Sequence, residues 1–162
     1  MTPEPEGWRS TDRRREDGAI DSVQRICTAR PAVDSSVEGA RHLGLGYWLE
    51  VSAVSRGLVR SRQGPGGVEL LLLGLRPPLL AFAPAQVATG PGGIECSYRI
   101  SGGLLARRPG GTLAVAQTRG ELRVEVTGFS PRLGRLYGTL QRPFHLEVSR
   151  RYLGRLAAEA RR

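Results

Sequence analysis

The chain has 162 residues, enough for one domain that buries about two-thirds of the surface its unfolded form exposes, so no metal or disulfide staple is required. Its formal charge is +9 and its pI near 11.0, yet all 24 basic residues are arginine; with no lysine, Schiff-base chemistry, a lysine general base and a phosphate-loop lysine are excluded. The absence of lysine and asparagine marks a GC-rich, bacterial coding sequence, which weakens the charge as an argument for nucleic acid.

Residues 1–17 combine Pro3, Pro5, five acidic positions and the run Arg13-Arg14-Arg15, with almost nothing apolar, and read as a disordered tail. Residues 18–45 form a poorly defined N-terminal segment. Its apolar positions Ile20, Val23, Ile26 and Val37 are sparse and interrupted by Pro31, which predicts at most one short helix, over about 19–28. Residues 46–160 are expected to form a single α+β domain, and the basic excess belongs there.

From Tyr47 the texture changes to short apolar or alternating runs. Ile94, Cys96, Tyr98 and Ile100 alternate with polar residues, as do Leu122, Val124 and Val126; a period of two over that length means strands with one buried face. Further strands are expected over 47–54, 68–73, 79–87 and 112–118. Gly64-Pro65-Gly66-Gly67, Gly90-Pro91-Gly92-Gly93 and Pro109-Gly110-Gly111 each open a strand rather than a helix, so they read as turns and not as phosphate loops. Short connections then pair successive strands antiparallel in a curved sheet of roughly six strands.

After Ser130-Pro131 a helical pattern starts near Leu133. Tyr137, Leu140, Phe144, Val148, Tyr152 and Leu156 mark one face of a long C-terminal helix packed on the sheet. Pro143 lacks a donor N–H, which predicts a kink near Gln141 or a fresh start with Pro143 in the first turn.

The residues that bear chemistry give no catalytic site. His42 and His145 have no neighbouring ligand at metal spacing, Glu50, Glu69, Glu95 and Glu125 read as a solvated strand face meeting Arg99 and Arg123, and no nucleophile elbow exists. Cys27 and Cys96 form neither a zinc spacing nor a disulfide framework, and the N-terminal sequence has no apolar signal core, so a reducing cytoplasm is the default. The apolar run 68–83 is broken by Glu69, Gly74, Arg76 and Pro77-Pro78 and cannot span a bilayer. No metal or cofactor is expected.

The stretches YRISGGLLARRPGGTLAV, LRVEVTGFSPRLGRLYGTLQRPFH and RRYLGRL, within 98–156, resemble uncharacterised proteins of high-GC actinobacteria, a likeness that carries no activity. The order of strands followed by one long helix is similar to the START-like (SRPBCC) helix-grip superfamily, which implies a pocket for lipids or other apolar molecules between sheet and helix. The expected function is therefore binding of an apolar small molecule, with Tyr47, Cys96, Tyr98, Val124, Phe144, Val148 and Tyr152 facing it. Two alternatives accompany it. One is a peripheral interaction protein that sets Arg142, Arg150, Arg151 and Arg155 against an anionic membrane or acidic partner; the other is a small cyclase- or dehydratase-like enzyme using Tyr98, Glu95 and His145.

Overall fold

The computed structural model describes residues 4–162. Nine strands, β1 Arg9–Arg14, β2 Ile20–Cys27, β3 Val59–Gly64, β4 Gly67–Leu72, β5 Leu75–Phe82, β6 Gln86–Gly90, β7 Gly93–Gly102, β8 Thr112–Thr118 and β9 Glu121–Phe129, form one curved, open antiparallel sheet. The strand order is β1-β2-β9-β8-β7-β5-β4-β3, and β6 shares the edge of β7 with β5. Helix α1 (Val37–Val54) follows β2, and the C-terminal helical segment comprises α2 (Gly134–Leu136), a π-helical turn (Tyr137–Gln141) and α3 (Arg142–Glu159). This is the expected α+β class, a curved antiparallel sheet with a long C-terminal helix.

Alternation decides the sheet's inner face. Cys96, Tyr98, Val115, Leu122 and Val124 are buried at 0–3% exposure, as the period of two requires. The glycine-rich segments turn the chain where expected: Gly64 pairs with Gly67 across the β3–β4 hairpin, and Gly90 with Gly93 across β6–β7. On α3, Val148, Tyr152 and Leu156 point into the core. The expected break also occurs, because the wide turn 137–141 precedes α3 and Pro143 falls in the first turn of α3. Leu140, expected on the buried stripe, is 62% exposed at this turn.

The N-terminal third differs from expectation. Residues 9–14 lie within the expected disordered tail, yet they form β1, a fully exposed edge strand that hydrogen-bonds to β2 along its length. Residues 20–27, expected as a helix, form β2, whose buried positions are Ile20, Ser22, Gln24 and Ile26. Two of these four are polar, so the apolar residues alone have helical spacing.

The expected strand over 47–54 is the second half of α1. Ser36 caps this helix by accepting from Gly39 N at 3.0 Å. Its buried face is Ala40, Leu43, Tyr47, Trp48 and Val51, while Leu49, which would share the inward parity of Tyr47 on a strand over 47–54, is 68% exposed. Gly44 and Gly46 permit the close packing of α1: a Cβ on Gly44 would stand 2.4 Å from Tyr98 Oη and 2.6 Å from Cys96 Sγ, and one on Gly46 2.7 Å from Tyr152 Oη. Tyr152 Oη then donates to Leu43 O at 2.6 Å, joining α3 to α1. The domain thus begins at β1 rather than near residue 46, and two long helices share one core with the sheet.

Candidate functional site

Between α1, the sheet and the π-helical turn lies a cavity of about 450 Å³. Helix α1 supplies Tyr47, Trp48 and Val51; β3–β5 supply Val59, Leu70, Leu79, Leu80 and Phe82; β7–β9 supply Ile100, Leu113, Val126 and Phe129. The C-terminal segment closes it with Leu136, Tyr137, Leu140, Gln141, Phe144, His145 and Val148. Such a volume falls within the roughly 300–1,000 Å³ of small-molecule sites. No arginine, aspartate or glutamate lines it, although the chain has 24 arginines.

The polar part of the lining is gathered in one place. Gln141 and His145 stand four residues apart on the helix, and Tyr47 Oη meets His145 Nδ1 at 3.0 Å. The other ring nitrogen, Nε2, is 2.8 Å from Gln24 Oε1. Gln24 Nε2 donates to Ser22 Oγ at 2.7 Å, and Ser22 Oγ donates to Asp12 Oδ1 at 2.5 Å.

The direction of every proton follows from the far end. An ionised carboxylate only accepts, so Ser22 gives its proton to Asp12 and accepts from the Gln24 amide. Gln24 Oε1 must therefore accept from His145 Nε2–H, and His145 Nδ1 accepts from Tyr47. The imidazole is neutral in this arrangement, and burial pulls its pKa down to about 4. Its residual accessible surface is consistent with a position in the cavity wall, surrounded otherwise by protein. Burial also raises the Tyr47 hydroxyl far above the usual tyrosine range. With both nitrogens engaged, the chain of bonds fixes β1, β2, α1 and α3 to one another and holds a polar edge on the cavity.

The sequence-predicted ligand residues divide. Tyr47, Phe144 and Val148 line the cavity. Cys96 and Tyr98 instead belong to a second cavity of about 200 Å³, with Arg41 and Gln63 in its wall, and burial raises the Cys96 thiol. Val124 and Tyr152 are core residues, exposed 0% and 1%. The proposed enzyme residues do not meet: Glu95 and Tyr98 have opposite parity on β7, and Glu95 lies 3.8 Å from Arg123 on the outer face. That cross-strand carboxylate–arginine pairing was expected for Arg123, which also sits 3.3 Å from Glu125. Glu50, expected on a wet strand face, is instead a buried α1 residue 3.3 Å from both Arg151 and Arg155.

Arg142 pairs with Asp12 at 2.5 Å, and Arg150 with Glu147 at 2.5 Å. All four arginines expected to face an anionic partner therefore have carboxylate partners within the fold. Sequence reasoning missed the cavity's walls on β3–β5 and the role of His145; the polar inward residues Ser22 and Gln24 were the available signal. Among the described residues no cluster of three His, Cys, Asp or Glu could hold a metal, and no helix is long and apolar enough to cross a membrane.

No family model matches the chain, and no curated protein does. Among solved structures it is similar to the solution structure of cyanobacterial PsbP (CyanoP) from Synechocystis sp. PCC 6803, at 15% identity and a TM-score of 0.35, with 90% of this chain and 81% of that chain covered.

Proposed function

We propose that this bacterial, cytoplasmic domain binds an uncharged, largely apolar molecule in the cavity between sheet and helices, in the manner of the START-like layout its sequence resembles. The observation that carries the reading is the cavity itself, about 450 Å³ with almost wholly apolar walls and one polar edge at Tyr47, Gln141 and His145. An ionised ligand group enclosed there would lose its hydration without meeting a counter-charge, because no lining side chain is cationic and His145 stays neutral. A hydroxyl, ester or amide can be met by the polar edge through hydrogen bonds.

Native mass spectrometry of the purified full chain tests this. The expected result is a lipid-sized neutral adduct that is released on denaturation. Protein that stays free of adduct, even after incubation with a long-chain alcohol or ester, contradicts the reading. The arginine-rich face of α3 is not favoured as a binding surface, since its arginines are paired with Asp12, Glu147 and Glu50.

A further inference from the structure

The cavity has an opening, and the surface around it has a composition of its own. Leu140 both lines the cavity and is 62% exposed, which places the mouth beside the π-helical turn. Main-chain bonds tie the neighbouring segments together: Leu104 N donates to Pro78 O at 3.0 Å, Leu105 N to Leu79 O at 2.9 Å, and Arg132 N to Leu105 O at 2.9 Å. Leu79, Leu105 and Leu136 of these segments face the cavity. Leu104 and Leu133 beside them are 48% and 55% exposed, and Leu75, at the start of β5 where it pairs with Leu72, is 66% exposed. Several exposed leucines on segments bonded to one another beside a cavity mouth mark an interaction surface.

Charge identifies the partner. Segments 73–80, 103–107 and 132–140 contain Arg76, Arg107, Arg132 and Arg135 and no acidic residue, and of these Arg76 is paired with Glu69 of β4 at 3.1 Å. Arg107 and Arg135 are exposed and make no ion pair among the described residues. An acidic protein partner would offer carboxylates at fixed points; a phospholipid surface offers phosphates everywhere and an apolar layer beneath them, which suits leucines flanked by arginines.

We infer that the leucine-rich rim of the cavity docks on an anionic lipid bilayer, with the leucines entering the headgroup–acyl boundary and the arginines contacting lipid phosphates. This goes beyond ligand binding and fails separately from it. Docked in this way, the mouth opens toward the acyl layer, so an apolar ligand passes between membrane and cavity without crossing water.

Co-sedimentation of the full chain with phosphatidylcholine vesicles, with and without phosphatidylglycerol, tests the inference. Binding is expected only to the anionic vesicles and is expected to weaken at high salt. The Arg107→Gln/Arg135→Gln variant should bind about 25-fold more weakly, at roughly five-fold per arginine. Replacing Leu75, Leu104 and Leu133 with serine should weaken binding by about ten-fold or more while leaving the thermal melt cooperative, because these side chains are already in water. Equal binding to neutral vesicles, no binding, or an unchanged leucine variant overturns the proposal. Uptake of a neutral apolar probe in vesicle-free solution separates the two ideas: probe uptake without vesicle binding removes the docking surface and leaves the ligand site.

Discussion

Acid should destabilise this protein through one side chain. In the folded chain the His145 imidazole stays neutral down to about pH 4, whereas in the unfolded chain it returns to the ordinary value near 6.5. Between those limits the unfolded state holds a proton that the native state refuses, so stability falls as pH falls through 6.5 and levels off below 4. The loss from pH 7 to pH 5 works out at about 2 kcal/mol, on a total that for small domains is about 5–15 kcal/mol. Urea denaturation at pH 7, 6 and 5, followed by far-UV circular dichroism, measures it. In His145→Gln, whose side chain does not titrate, that dependence should disappear, while the exposed His42→Gln serves as control. A parent protein with equal stability at pH 7 and 5, or a His145→Gln variant as acid-sensitive as the parent, would refute the buried neutral imidazole.

Three further outcomes follow from packing. Gly44→Ala places a Cβ against Tyr98 Oη and Cys96 Sγ and should cost about 1–3 kcal/mol in thermal unfolding, with exposed Gly138→Ala as the benign comparison. Glu50→Gln removes the carboxylate shared by Arg151 and Arg155; since both arginines are half-exposed and can turn to water, denaturant titration should show a loss of only about 1 kcal/mol. A chain ending at Gly134 loses Val148, Tyr152, Leu153 and Leu156, all exposed by 2% or less, worth about 6–12 kcal/mol in burial, and should show no cooperative melt.

The parts legible in the sequence are those where apolar residues alone set the period. On β7, Ile94, Cys96, Tyr98 and Ile100 are all buried, and on α3 the four-residue steps of Val148, Tyr152 and Leu156 point inward as read. Polar burial hid β2, because Ser22 and Gln24 occupy inward positions to complete the bond network ending at Asp12. That left Ile20, Val23 and Ile26 with helical spacing. β1 is exposed along its whole length and carries no burial signal; its place comes from pairing with β2. In α1, Gly44 and Gly46 resemble turn residues when read alone, and the run Tyr47-Trp48-Leu49 favours strand by propensity. The helix wins because those glycines let it approach Tyr98 and Tyr152 closely.

The cavity was less legible than the sheet, since its walls come from elements far apart in sequence. Three of seven expected ligand residues, Tyr47, Phe144 and Val148, line it, because α1 and α3 carry them to the same gap. Strand parity located Cys96, Tyr98 and Val124 correctly as inward, but inward on this sheet leads Cys96 and Tyr98 to the second, smaller cavity and Val124 into the packed core.

The central claim, an apolar ligand site enclosed by α1, the sheet and the π-helical turn, is tested most directly by titrating the protein with the neutral fluorophore N-phenyl-1-naphthylamine. The same titration is made on Leu80→Trp, which enlarges a partly exposed side chain of the cavity wall. Saturable uptake of one probe per chain by the parent, lost in the still-folded variant, is the result predicted; no saturable uptake by the parent, or equal uptake by both, contradicts it.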